Sequence, residues 1–92
     1  MTHTWTECDD IVALYFYRFG VGRLGLSLEN ASNALGITPS SMKMRLRNFK
    51  SLEGAGGLSN VAQQSRKIFE RYHAFSEGEL RTLAIDCLQA QR

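Results

Sequence analysis

The 92-residue chain contains one proline and two cysteines, and it has no long apolar run. A transmembrane helix needs roughly 18 to 20 consecutive apolar residues, so no membrane-spanning segment is predicted. The first ten residues, MTHTWTECDD, carry acids where a secretory signal would have cations followed by an apolar stretch. We therefore expect a cytoplasmic protein.

The scarcity of cysteine and histidine argues against a metal centre or a catalytic site. Cys8 and Cys87 lie near opposite ends of the chain, in no metal-ligand spacing. Because disulfides are rare in the cytoplasm, we expect two unpaired, buried thiols. His3 near the N-terminus and His73 near the end of a basic helix are expected at the surface. We predict no metal, no cofactor and no enzymatic activity.

Length and composition predict a single domain covering residues 1–92. A chain of 92 residues with 43% apolar content can build one hydrophobic core but not a second domain beside it. Apolar residues recur every three or four positions almost throughout, and no alternating strand pattern is long enough for a sheet. We predict an all-α fold, a small bundle of about five helices that contains a helix-turn-helix.

Capping residues predict where several helices begin, because their side chains accept hydrogen bonds from the first backbone N–H groups of a helix. The expected caps are Thr4 with Glu7, Ser27, Thr38, Ser59 or Asn60, and Ser76 with Glu79.

The last helix has an apolar stripe that either closes the core or pairs with the same helix of a second copy to form a homodimer.

The segment from Ser27 to Leu52 has the layout of a helix-turn-helix. A short helix ends at Gly36, since glycine readily adopts the left-handed backbone found at helix C-termini. Thr38 and Pro39 then provide the N-cap and the first position of a longer helix. Two helices joined by so short a turn are typical of this motif.

The longer helix of this pair lies in a stretch that lacks acidic residues. No Asp or Glu occurs between Glu29 and Glu53, and every charged residue in that interval is a cation. At about 100° per residue, three of these cations fall on one side of the helix, flanked by Ser40, Ser51 and Met44. The candidate DNA-binding residues are Ser40, Ser41, Lys43, Met44, Arg47 and Lys50.

The chemistry of these residues suits DNA. Lys and Arg neutralise phosphates, Arg47 can pair with guanine in a major groove, and small hydroxyl residues can approach base edges. Met44 can pack on a thymine methyl group or, equally well, on a partner protein. The alternative is an ordinary solvated helix surface, because short basic stripes are common.

The sequence NALGITPSSMKMRL, residues 33–46, is similar to the helix-turn-helix of the promoter-reading C-terminal domain of bacterial sigma factors. It also resembles the output domains of response regulators. In both, a Leu-Gly-Ile turn is followed by Ser or Thr and by a Lys-x-Arg-Leu run. Ser32 stands where those proteins usually have alanine.

A longer stretch, from Trp5 to Tyr72, resembles the N-terminal segment that precedes the catalytic domain in a group of HNH-type restriction endonucleases. An aromatic-rich first helix, a helix-turn-helix, an NF-x-SL turn and the letters GLSN follow in the same order, with Glu53 where aspartate is usual. The resemblance implies a DNA-associated accessory domain without the nuclease domain itself.

The sequence therefore predicts a non-catalytic protein that binds double-stranded DNA by placing its basic helix in the major groove. It would act as a regulator or accessory factor of a restriction or mobile-element system. Because one such unit makes few contacts, a homodimer through the last helix or a nuclease partner would raise the affinity. The alternative is a protein-interaction module that binds a nuclease or another protein without contacting DNA.

Overall fold

A computed structural model describes residues 5–54 and 62–90, and in these two ranges the chain is helical without strands. The prediction of an all-α fold is confirmed. None of the helices in these ranges combines the length and the apolar composition needed to cross a membrane. The elements are α1 (Glu7–Phe19), a 3₁₀ turn (Gly22–Leu24), α2 (Leu28–Leu35), α3 (Pro39–Leu52), α4 (Gln63–Tyr72) and α5 (Glu77–Ala90).

Helix α1 is the centre of the fold and packs against α3, α4 and α5. Every residue from Ile11 to Phe16 is buried, so this helix has no solvent-facing side over that stretch. A helix buried all round must be enclosed by its neighbours. The other buried apolar residues come from the surrounding segments and are Ala31, Leu35, Ile37, Met42, Phe49, Ile68, Leu80, Ala84 and Cys87.

Three of the predicted helix starts are confirmed. Ser27 and Thr38 each accept a hydrogen bond from the backbone N–H three residues later. Ser76 and Glu79 form a reciprocal capping box at the start of α5. An N-cap of this kind contributes about 1 kcal/mol, which matters for a helix as short as α2.

The first helix begins two residues later than predicted. Thr6 is its N-cap: the Thr6 hydroxyl accepts from the Asp9 N–H at 3.2 Å, and the Asp9 carboxylate accepts from the Thr6 N–H at 2.9 Å. The predicted pair of Thr4 with Glu7 was wrong, because Glu7 is the first residue of the helix and Thr6 directly precedes it as the N-cap. The sequence contains two overlapping candidates, since each threonine is followed three residues later by an acid.

Helix α4 runs from Gln63 to Tyr72. The predicted caps Ser59 and Asn60 lie outside the described residues. Just beyond the other end, the Arg18 side chain on α1 donates to the carbonyl oxygen of Phe75 at 2.6 Å. The arginine thereby satisfies a carbonyl group in the connection between α4 and α5.

Cys8 and Cys87 form a disulfide, so the prediction of two unpaired thiols was wrong. The bridge joins the first turn of α1 to the last turn of α5, with the two Cα atoms 5.3 Å apart. The cysteines are separated by 79 residues in sequence, and only the packing of α5 along α1 brings them together. The rarity of disulfides in the cytoplasm does not determine which side chains this packing brings together.

Candidate nucleic-acid interface on α3

The turn between α2 and α3 is rigidly defined by backbone hydrogen bonds. Gly36, with φ of 74°, donates to the carbonyl of Asn33 at 3.1 Å, and Ile37 donates to that of Ser32 at 2.9 Å. This pair of bonds is the Schellman arrangement, in which a left-handed glycine ends a helix. The Ile37 side chain is buried, so the turn is also anchored in the core.

All six candidate residues of α3 are exposed. At about 100° per residue, five of them fall within a sector of about 120° of the helix circumference. We call these five residues the basic face: Ser40, Lys43, Met44, Arg47 and Lys50. Ser41 lies outside this sector, and its hydroxyl accepts a hydrogen bond from the Thr38 hydroxyl at 3.0 Å.

The cations of the basic face are electrostatically uncompensated. Among the residues that the structure describes, Lys43, Arg47 and Lys50 have no ion-pair partner; the ion pairs there join Arg45 to Asp10 and, at 3.9 Å, Arg23 to Glu77. Three neighbouring positive charges without anions produce a local positive field that attracts polyanions.

Charge is also divided unevenly over the chain. Residues 38–73, which include α3 and α4, contain seven Lys or Arg and two acids, whereas the rest of the chain contains four Lys or Arg and seven acids. The net charge of only +2 therefore conceals a basic part and an acidic part. The basic face belongs to the positive part.

The opposite side of α3 carries a buried ion pair that the sequence analysis missed. The Arg45 Nε atom lies 2.8 Å from Oδ1 of Asp10, and its Nη2 atom donates to Oδ2 at 3.2 Å. The Asp10 side chain is fully buried, and that of Arg45 is only 12% exposed. The one available signal was the position of Arg45 at the edge of the core side of α3.

Further polar contacts surround this ion pair and extend it to α4. Gln64 donates to Oδ2 of Asp10 at 2.7 Å, and Ser65 donates to Oδ1 at 3.0 Å. The Arg45 guanidinium lies 4.1 Å above the centre of the Trp5 ring, which is a cation–π contact. The cluster joins α1, α3 and α4, and it fixes which side of α3 faces the core.

The C-terminal end of α3 is tied to α1 through Glu53, the first acid that follows the basic face. Burial, followed by a hydrogen bond to Glu53 and the charge of that carboxylate, raises the pKa of Tyr17 above its ordinary value. The Tyr17 ring also packs near Phe49 of α3, with the ring centres 6.3 Å apart. Glu53 is thus engaged by a tyrosine of α1.

A second surface feature lies beside α5. An open, mainly apolar cavity of about 270 Å³ lies between the end of the 3₁₀ turn with the residues that follow it and the last turns of α5. The most deeply buried residues of α5, such as Leu80 and Ala84, close the core against α1. The cavity is lined by Leu24, Leu26, Ile85, Leu88 and Gln89.

The histidines and acids do not form a metal site in the part of the chain that the structure describes, where no three His, Cys, Asp or Glu side chains come together suitably. His73 is exposed, as predicted, and its ring stacks on Phe69 with the centres 5.0 Å apart. His3 lies outside the described residues.

Comparison of the chain with protein-family models, with curated proteins and with solved structures found no match. The resemblances to a restriction-endonuclease accessory segment and to sigma-factor helix-turn-helix motifs therefore stay predictions.

Proposed function

We propose that this protein is a non-catalytic, double-stranded DNA-binding protein of the helix-turn-helix type. Helix α3 would lie in the major groove, with α2 crossing the sugar-phosphate backbone. The observation that carries this proposal is the basic face, where three cations that have no ion-pair partner among the described residues share one exposed side of a helix with a serine and a methionine. No acidic residue interrupts this helix.

The dimensions of α3 suit the groove. An α-helix with its side chains is about 10 to 12 Å wide, and the major groove of B-DNA is about 12 Å wide. The 14 residues of α3 extend over about 21 Å. Lys43 and Lys50 are separated along this helix by about two turns. Side chains so spaced can reach phosphates while Arg47, between them, approaches base edges.

The buried ion pair supports the same proposal because it holds α3 in one rotational setting. With Arg45 fixed to Asp10 on the inner side, the basic face is presented outward before any ligand binds. A surface organised in advance loses less conformational freedom on binding. The affinity of one copy would still be low, because few phosphates are contacted.

A second copy of the chain, or a nuclease of a restriction or mobile-element system, would supply the additional contacts. The stretch from Trp5 to Tyr72 resembles a nuclease accessory segment, and this resemblance supports the assignment of the biological context. The partner would raise affinity through multivalency and not through any change at the basic face.

The decisive experiment measures binding to a pool of random-sequence duplexes across a salt series. Each phosphate contact contributes about −0.9 to the slope of log affinity against log salt. We expect the triple variant Lys43→Ala/Arg47→Ala/Lys50→Ala to bind more weakly and with a slope reduced by up to about 2.7. Helical circular dichroism should be unchanged, since these side chains are exposed.

A matched control removes the same charge from another exposed surface. Arg66, Lys67 and Arg71 on α4 are exposed, and substituting all three by alanine also lowers the net charge by three. We expect this control to bind DNA more strongly than the α3 variant does. Equal losses in both variants would indicate general electrostatic attraction, and no binding by the native protein at low salt would refute the proposal.

A second candidate function is a protein-interaction module, favoured by the apolar cavity beside α5. A second copy, docking through α5, would cover apolar atoms that are now open to solvent. Sedimentation over a range of concentrations would detect such a homodimer, and Ile85→Lys should dissociate it. A monomer at every concentration would count against this use of α5.

A further inference from the structure

Met44 is the one large hydrophobic residue that is exposed in the described ranges, at 48% of its full accessible surface. The other large apolar side chains in these ranges are buried or half-buried. Met44 lies on the basic face, one turn after Ser40 and just under one turn before Arg47. An apolar side chain therefore stands among side chains suited to phosphate.

The thioether of methionine cannot replace a cation at a phosphate. It is at most a weak hydrogen-bond acceptor, and it gains free energy chiefly by leaving water for an apolar surface. The floor of the major groove offers one apolar substituent, the methyl group on C5 of thymine. Methionine is also unbranched and flexible, so it can follow the shape of such a group.

We infer that Met44 recognises the C5-methyl group of pyrimidines in the major groove, an inference that rests on the proposed DNA binding. The flanking cations hold α3 against the backbone, and Met44 then covers a methyl group and excludes water from it. The same methyl group occurs on thymine and on 5-methylcytosine. The ligand chemistry is therefore a methylated pyrimidine edge, with two sources.

The test uses a pool of A·T-rich random duplexes, prepared once with thymine and once with uracil, which lacks only the methyl group. Burial of about one methyl group predicts that the native protein binds the thymine pool about fourfold more tightly. Met44→Ala should bind both pools equally and keep the native salt slope. Met44→Leu should retain the preference, because leucine also presents apolar surface.

A matched control and a second pair of duplexes complete the experiment. Gln63→Ala changes an exposed residue of α4, outside the basic face, and should keep the preference for thymine. A G·C-rich pool with cytosine or 5-methylcytosine distinguishes the sources: a preference for the methylated pool that Met44→Ala abolishes assigns both bases, and its absence assigns thymine alone.

The outcomes separate this inference from the proposed function. If the native protein binds the thymine and uracil pools equally well, with a clear salt dependence, Met44 does not read the methyl group and the DNA-binding proposal stands. If it binds neither pool at low salt, the DNA-binding proposal itself fails. A preference that persists in Met44→Ala would assign methyl recognition to another residue.

Discussion

Arg45 and Arg47 are two positions apart on α3, yet the structure uses them in opposite ways. Arg45 is largely enclosed, with a side chain only 12% exposed, and it pairs with Asp10 and lies over the Trp5 ring. Arg47 is exposed and, among the described residues, has no ion-pair partner. At about 100° per residue, two positions correspond to about 200°, which is nearly the opposite side of the helix.

A basic run in a sequence is therefore not a single functional unit. One arginine of the run belongs to the scaffold, and the other is available to a ligand. A cation held by a buried carboxylate contributes little to the external field, whereas an exposed one contributes fully. The four predictions below test this division between the inner and the outer side of α3.

The largest effect is expected from breaking the inner side. Asp10→Ala leaves the Arg45 guanidinium buried without its anion, and it removes the acceptor for Gln64 and Ser65. We expect the free energy of unfolding to fall by about 3 to 5 kcal/mol, measured by urea denaturation. Arg47→Ala is the control and should change it by less than about 0.5 kcal/mol. Equal effects of the two substitutions would abolish the distinction.

The next largest effect is expected from reducing the disulfide that joins α1 to α5. Reduction of Cys8–Cys87 by a dithiol should lower the free energy of unfolding by about 2 to 4 kcal/mol. Trp5 is the single tryptophan of the chain, and its ring contacts the guanidinium of Arg45. Its fluorescence therefore reports on the surroundings of the Arg45–Asp10 ion pair. We expect its emission to shift to the red on reduction. An unshifted emission would show that the disulfide acts independently of the Arg45–Asp10 ion pair.

The control for reduction is the double variant Cys8→Ser/Cys87→Ser. It should resemble the reduced native protein in stability and should not respond to the dithiol. Any response of the variant would mean that the reagent acts elsewhere.

A smaller effect is expected at the C-terminal end of α3. The raised pKa of Tyr17 means that the folded state favours the neutral phenol more than the unfolded state does. Its contribution is present below the unfolded pKa of 10.0 and is lost as the pH rises through the higher folded pKa. Tyr17→Phe should therefore lose stability less steeply above about pH 10 in urea titrations. An identical alkaline slope in both proteins would contradict the assignment.

The smallest effect on folding is expected from the outer side. Lys43→Ala/Arg47→Ala/Lys50→Ala removes exposed side chains and introduces the residue with the highest helix propensity. We expect thermal unfolding to be unchanged or slightly raised, with less than about 0.5 kcal/mol per site. A marked loss of stability would assign these cations to the scaffold together with Arg45.

The sequence was most informative where the determining contacts are local. Ser27, Gly36 and Thr38 were predicted correctly, because a cap or a helix end depends on atoms within about four residues. Pro39 at the start of α3 also follows from the backbone alone. These signals define α2 and α3, and hence which residues of α3 can be exposed.

Contacts between distant residues could not be predicted in this way. Asp10 and Arg45 are 35 positions apart, and the two cysteines are 79 apart. Each pair exists because α1 lies among the other helices, which no local pattern specifies. At Thr6 even the local signal was ambiguous, because two threonines had equally placed acids and only one could be the cap.

The Cys8–Cys87 bridge also changes what cleavage of the chain would do. The backbone between these residues and the bridge together form a closed covalent ring that includes nearly all of the protein. A protease that cuts this ring once opens it without releasing a fragment, so the nicked molecule keeps its parts tethered and close to their native partners. The two pieces separate only after the sulfur bond has also been reduced.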